Sequence, residues 1–169
     1  MGVFAALHVA AAVVLRLGGE AVVPFSLVPF MAFLAAFALG GRLGAISLVV
    51  YTLLGLLGLP VFARAPFGGL VYVLQPTFGF LMGFIAAAVV AGQFDIRTRV
   101  GAMAATLLGV LTLYAVGLPY FYAILTFYLG RSITCAWVFN VAVLPYIGLD
   151  LVKALLAVYL GRTLRQHIG

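Results

Sequence analysis

Charge-free apolar runs, separated by short polar or glycine-rich joints, set the pattern of this chain. Residues 1–15 are apolar and Ala-rich, and close at Arg16, Gly18, Gly19 and Glu20. Residues 21–41 follow without a charge, with Pro24 and Pro29 near the start, where a helix tolerates proline. Residues 43–59 come almost at once, so runs two and three predict a tight helical hairpin around Gly40-Gly41-Arg42. The third run ends at Gly58-Leu59-Pro60, a glycine cap followed by a helix-stopping proline. Residues 78–92 form a fourth run, ending at Gln93, Asp95, Arg97 and Arg99. Residues 100–116 form a fifth, and Gly117-Leu118-Pro119 reads as its end, echoing Gly58-Leu59-Pro60. A sixth run follows Pro145 and ends at Arg162 and Arg165. A spanning helix needs about 20 apolar residues. The runs therefore predict an all-α integral membrane protein of six transmembrane helices, one membrane domain over residues 1–169.

Two stretches break the pattern. Residues 61–77 hold Pro66 and Pro76, the Gly68-Gly69 pair and Arg64 between apolar spans. That is a poor helix and reads either as a plain surface loop or as a re-entrant lid. Irregular backbone at membrane depth is tolerated only where protein or a cavity covers it. Residues 123–143, apolar and aromatic around Arg131, read as a partly helical connection against the bundle.

Composition supports the membrane reading. Of 169 residues, 67% are hydrophobic and 7% charged, too few charges to cover a soluble domain. The net charge of +6 is no nucleic-acid signal, because the nine Lys and Arg are scattered, with no basic run. They mark topology instead. Six passes put Arg42, Arg97, Arg99, Arg162 and Arg165 on one side with both termini, against Arg16, Arg64 and Arg131 on the other. The positive-inside rule then places the termini in the cytoplasm. Residues 61–77 and the start of the sixth helix face outward, predicting a loop-capped pocket near the extracellular side. Cys135 is alone, and His8 and His167 lack ligand spacing, so neither disulfide nor metal is expected. No basic n-region precedes the first run, so no cleavable signal peptide is expected.

Asp150 and Lys153 sit in the first turns of the sixth helix, three apart and on one face. An ionisable group in a bilayer costs about 2.5–3.5 kcal/mol on insertion scales. Such a pair either holds something polar or neutralises itself. Gly2, Ala6 and Ala10 form a stripe of small residues on helix one, fit for close packing inside the bundle or against a partner.

Several stretches, in order and across nearly the whole chain, resemble the BioY family of biotin-specific substrate-binding components of energy-coupling factor (ECF) transporters. They are Pro24-Phe25-Ser26-Leu27-Val28-Pro29-Phe30, Gly40-Gly41-Arg42-Leu43-Gly44-Ala45 and Gly55-Leu56-Leu57-Gly58-Leu59-Pro60-Val61-Phe62-Ala63. Phe67-Gly68-Gly69, Gln75-Pro76-Thr77-Phe78-Gly79-Phe80 and the turn from Asp150 through Lys153 to Ala154 complete the set. The resemblance implies six helices, biotin bound from outside, and as partners a transmembrane coupling protein and paired cytoplasmic ATPases. It implies that Asp150 and Lys153 bind the biotin head group and that Gly2, Ala6 and Ala10 meet the coupling protein. It extends ligand contact to Gly68, Gly69, Gln75 and Thr77. The chain departs from the family pattern at Met31 and Phe33, where Thr and Gln are common, at Leu81, where some members carry Arg, and in a loop carrying Arg64, Pro66 and Phe67.

The chemistry of the implied ligand matches these residue types. A ureido group donates and accepts hydrogen bonds, as Asp150 accepts and Lys153 donates. A thioether ring and alkyl chain suit aromatic walls, for which Phe62, Tyr72 and Tyr146 are candidates. A carboxylate suits a guanidinium, and Arg64 is the one in the candidate lid. There is no Gly-x-x-x-x-Gly-Lys-Ser/Thr motif, so ATP hydrolysis falls to a partner, and no cofactor or enzyme activity is expected. The rival readings are a component for another small carboxylate, such as lipoate or pimelate, and a structural subunit whose charge pair only fixes packing.

Overall fold

The computed structural model describes residues 1–22 and 26–168, and Pro24 and Phe25 lie outside them. It is all-helical, with no strand among the described residues. The helices are α1 (Gly2–Val22), α2 (Val28–Leu39), α3 (Gly41–Leu56), α4 (Phe78–Ala91), α5 (Arg99–Ala123), α6 (Cys135–Ala142) and α7 (Ile147–Ile168).

The described residues thus form seven α-helices, not six. The extra one, α6, lies in the stretch read as a partly helical connection, where Thr134 caps it by accepting from the Trp137 N–H at 3.2 Å. The apolar runs also do not convert one for one into spans. Among the described residues, only Arg99–Tyr128 is by itself long and apolar enough to cross a membrane. Cys135–Ala142 with Ile147–Gln166, bent by 48°, makes a second if taken as one broken span. α2, with 12 residues, rises only about 18 Å, against a hydrocarbon core of ~30 Å. Apolar residues that filled out the runs are spent instead in loops and turns between helices.

α2 is the centre of the bundle and packs against α1, α3, α4 and α7. Its sequence has no polar face, the signature of a helix buried on all sides, and Ala32 through Ala38 are all buried. α1, α3, α4, α5 and α7 follow one another around it. Small residues set the approach. A Cβ on Gly92 would overlap the Gly41 backbone, so α3 and α4 cross there main chain to main chain.

The α2–α3 hairpin turns at Gly40, φ 87°, as its glycine pair predicts. α3 ends at the expected glycine: Gly58 has φ 102°. Its N–H donates to Gly55 O at 3.1 Å and Leu59 N–H to Leu54 O at 3.2 Å, the paired bonds of a Schellman cap. The matching reading of Gly117-Leu118-Pro119 as a helix end is wrong. α5 continues through Pro119 and a π-helical turn, Ile124–Tyr128, extends it. Proline removes one intrahelical bond and clashes with the preceding turn. Neighbouring membrane helices tolerate that interruption, so Pro119 stays helical where Pro60, after a left-handed glycine, does not. α1 likewise runs past Arg16 to Val22, and α2 starts at Val28 rather than residue 21.

Candidate ligand site beneath the lid

Residues 61–77 are irregular, as expected, apart from a 3-10 turn, Leu70–Leu74. Their fold is specific. Phe62 N–H donates to Phe67 O and Phe67 N–H to Arg64 O, each at 2.8 Å, closing a small loop. Gly69 N–H donates to Gly55 O at 2.7 Å, fastening the loop to α3. Gly68 lies against Leu59 O so closely that a Cβ would overlap it, and Gly69 has φ 95°. The two glycines therefore shape this loop by close approach and left-handed backbone.

A run of aromatic contacts ties the loop to the bundle. His8 lies 5.7 Å from Tyr51, which meets Phe62 edge-on at 5.8 Å. Phe62 stacks on Tyr72 at 4.0 Å, Tyr72 meets Phe78 at 6.4 Å, and Phe78 meets Tyr120 at 5.9 Å. Tyr51 Oη donates to Val61 O at 3.3 Å, and Tyr120 Oη donates to Val73 O. Phe62 and Tyr72 are buried in this run, so both are core as well as candidate wall. Burial pushes the Tyr72 phenol up, against the Thr77 side chain beside it and the Arg64 charge, so it remains a neutral donor. Thr77 Oγ1 is buried without a hydrogen bond of good geometry. Gln75 is half-buried, and its N–H donates to Tyr72 O at 3.0 Å.

α1 reaches the same loop. Arg16 Nη1 donates to Pro60 O at 3.3 Å, and its guanidinium lies 4.8 Å from the centre of the Phe67 ring. Read from sequence as a topology marker, Arg16 is also a clasp on the loop. Exposed cation–π contacts are worth about 0.5–1 kcal/mol, and one hydrogen bond a similar amount. Arg16→Gln is expected to raise amide hydrogen exchange across residues 61–67 by roughly tenfold while leaving α7 unchanged. Equal rates in both proteins would show that the loop holds without it.

The charged centre lies on α7. Asp150 is buried, and its two oxygens have different partners. Lys153 Nζ donates to Oδ1 at 3.3 Å, and Tyr114 Oη donates to Oδ2 at 2.7 Å. The Lys153 and Asp150 side chains are 13% and 9% exposed, so the pair is held well away from solvent. Phe80 meets Tyr114 edge-on at 6.3 Å and Phe121 at 5.9 Å. Tyr146 is exposed at the start of α7, near the Tyr114 phenol.

Two of the expected groupings differ in kind. Asp150 and Lys153 are joined, as their spacing predicts. Phe62, Tyr72, Gly68, Gly69, Gln75 and Thr77 gather in the loop and its junction with α4, which also carries Phe80 toward Tyr114. Arg64 is exposed, and no bond joins it to the Asp150 cluster among the described residues. Tyr114 escaped the sequence reading. Its only signal is a phenol inside an otherwise apolar helix, which needs a partner when buried. An apolar cavity of about 280 Å³ lies between α5 and α6, lined by Leu118, Pro119, Tyr122, Cys135, Val138 and Phe139, and contains none of the expected residues.

Comparison with known proteins then places the chain. The BioY family pattern matches residues 1–169. "Probable biotin transporter BioY" of Lysinibacillus sphaericus is 44% identical over 123 residues, covering 70% of this chain and 62% of that protein. "Probable biotin transporter BioY" of Pyrococcus horikoshii is 34% identical over 124 residues, covering 73% and 69%. "Biotin transporter BioY" of Thermotoga maritima is 45% identical over 92 residues, covering 54% and 52%. The matched part thus spans between about half and seven-tenths of these relatives. The crystal structure of the S-component for biotin from an ECF-type ABC transporter shares the fold, with a TM-score of 0.65 at 22% identity over 98% of this chain and 88% of that one. The chain belongs to the BioY family, a family of membrane transport proteins.

Proposed function

We propose that this chain is a biotin-capturing membrane subunit, taking biotin from outside and passing it inward with an ATP-driven module. The observation that carries it is the buried Asp150–Lys153–Tyr114 cluster at the lid end of α7. An intramembrane ionisable pair is a functional site by default, and this one offers carboxylate lone pairs and the remaining Lys153 N–H groups to a ureido ring, with the Tyr114 O–H already given to Asp150. Family membership and the printed names of the relatives support the ligand. Phe62, Tyr72 and Tyr146 would wall the ring and chain, with Gly68, Gly69, Gln75 and Thr77 shaping the mouth. The buried Thr77 hydroxyl, beside the Tyr72 phenol and without a hydrogen bond of good geometry, would be a donor there.

The topology in this reading is six membrane passes, with α6 and the start of α7 at the outer surface and both termini in the cytoplasm. Contacts around Gly40, Arg97, Arg162 and Arg165 put these basic residues at one end of the bundle, opposite the loop that Arg16 and Arg64 share. That segregation suits the positive-inside rule. The coupling protein and paired ATPases supply the energy, and the chain itself does no chemistry and needs no cofactor.

Calorimetry with purified protein tests this directly. Biotin is expected to bind and to raise the melting temperature, since a ligand stabilises by RT ln(1 + [L]/Kd). Lipoate or pimelate binding in its place would reassign the ligand, and no binding by any of the three would favour a structural role for the pair. Arg64 is expected to hold the carboxylate. Arg64→Ala should weaken biotin by about 1.5–3 kcal/mol, the range for a charged hydrogen bond, and biotin amide much less. Equal losses for acid and amide would remove Arg64 from the site.

A further inference from the structure

The other end of the bundle carries a second shaped site. A cavity of about 420 Å³ opens where the α4–α5 joint meets the last turns of α7, lined by Ile96, Arg97, Arg162, Arg165 and Gln166. Three of its five walls are guanidinium groups. Arg162 is committed to the fold: its Nε donates to Ile96 O and its Nη2 to Thr98 O at 3.3 Å, so it fixes the joint against α7. Arg97 and Arg165 form no ion pair among the described residues. Asp95, the acid in this joint, turns Oδ1 to the Arg97 backbone N–H at 3.0 Å rather than to a guanidinium. Among the described residues the cavity wall contains no carboxylate. Positive-inside topology accounts for basic residues near this level, but not for their convergence on one cavity.

We propose that this cavity holds the phosphate of an anionic phospholipid. Guanidinium forks match phosphate oxygens in pairs. The choice of a lipid comes from what adjoins the cavity. α5 and α7 pack on each other, and each carries an exposed apolar strip that ends within three residues of a cavity-lining arginine in sequence. On α5 the strip is Val100, Met103 and Leu107; on α7 it is Leu156, Tyr159 and Leu160. The first ends beside Arg97 in sequence and the second beside Arg162. A headgroup in the cavity can therefore lay its acyl chains along these strips, where a soluble phosphate has no use for them. Basic pockets between membrane helices suit anionic headgroups for this electrostatic reason. The proposal is independent of the ligand taken by Asp150, which sits at the opposite end of α7.

Native mass spectrometry of the full chain in uncharged detergent, titrated with dioleoyl phosphatidylglycerol or dioleoyl phosphatidylcholine, tests it. The glycerol lipid is expected to bind more tightly, and Arg97→Gln with Arg165→Gln to weaken it roughly 30-fold, the sum of two basic contributions at an anionic surface. Arg131→Gln, a control outside the cavity, should leave it unchanged. In the unmutated protein the preference for phosphatidylglycerol should disappear in about 1 M salt, which reads the site without relying on a variant's folding. Equal binding of the two lipids, or full phosphatidylglycerol binding by the double variant, overturns the proposal. Displacement of the lipid by inorganic phosphate at equal concentration would make it a soluble-phosphate site. A dimer that the same two substitutions abolish would give the surface to a second copy of the chain. Either result would also overturn the lipid assignment.

Discussion

Asp150→Leu is expected to cost about 3–5 kcal/mol of stability, the range for stranding one partner of a buried ion pair. The stranded group is Lys153, whose side chain is 13% exposed and whose charge otherwise rests on Asp150 Oδ1. Tyr114 loses its acceptor as well, and an orphaned buried hydroxyl adds about 1–3 kcal/mol. The matched variant removes all three groups together: Asp150→Leu, Lys153→Met and Tyr114→Phe. With no charge or hydroxyl left unpaired, it should fold as stably as the parent or more so, because replacing a buried pair by apolar groups is often neutral or favourable. Biotin binding should nonetheless fall by at least ~100-fold, the equivalent of two lost charged hydrogen bonds. Thermal unfolding and calorimetry on the same samples separate the two effects. A stable triple variant that binds biotin normally would leave the cluster as a packing device and move the ligand site elsewhere. A triple variant no more stable than Asp150→Leu alone would contradict the charge-stranding argument itself.

How much of this was legible in the sequence follows the range of each interaction. The α2–α3 hairpin and the cap of α3 were readable because Gly40 and Gly58 are local backbone requirements, met as positive φ within one turn. The Asp150–Lys153 pair was readable because a helix fixes which residues share a face. Tyr114 donates to Asp150 across 36 positions, and no periodicity spans that distance. Arg16 is tied to Pro60 across 44, and Arg162 to Ile96 across 66. Each is an arginine that charge counting alone assigns to topology. Pro119 misled for the opposite reason: the local rule against proline in helices is real, but packing in the bundle overrides it. The centrality of α2 was present in its composition, as a run with no polar face, yet an apolar run reads the same whether lipid or protein surrounds it.

Ala6→Trp is expected to leave biotin binding within about twofold of the parent while ATP-driven uptake falls below roughly a tenth. In α1, Gly2, Ala6 and Ala10 are exposed, whereas Phe4, Ala5, His8, Ala11 and Ala12 are buried against the bundle. The four-residue spacing keeps the small residues on one strip. Their exposure disfavours the reading in which they pack inside this bundle. A Trp at Ala6 therefore has room in the isolated subunit, and neither α2 nor α3 need move. A partner helix is different. Helices in lipid associate mainly by close packing across small residues, and an indole of this size holds two backbones apart. Transport depends on that contact in the proposed function, while capture of the ligand at the far end of α7 does not. The measurements are biotin binding to the purified variant and uptake by cells that also express the coupling module. Retained uptake would take the strip out of the coupling interface. Loss of binding along with uptake would show instead that α1 governs the site, through Arg16 on the Pro60–Phe67 loop or through His8 on Tyr51.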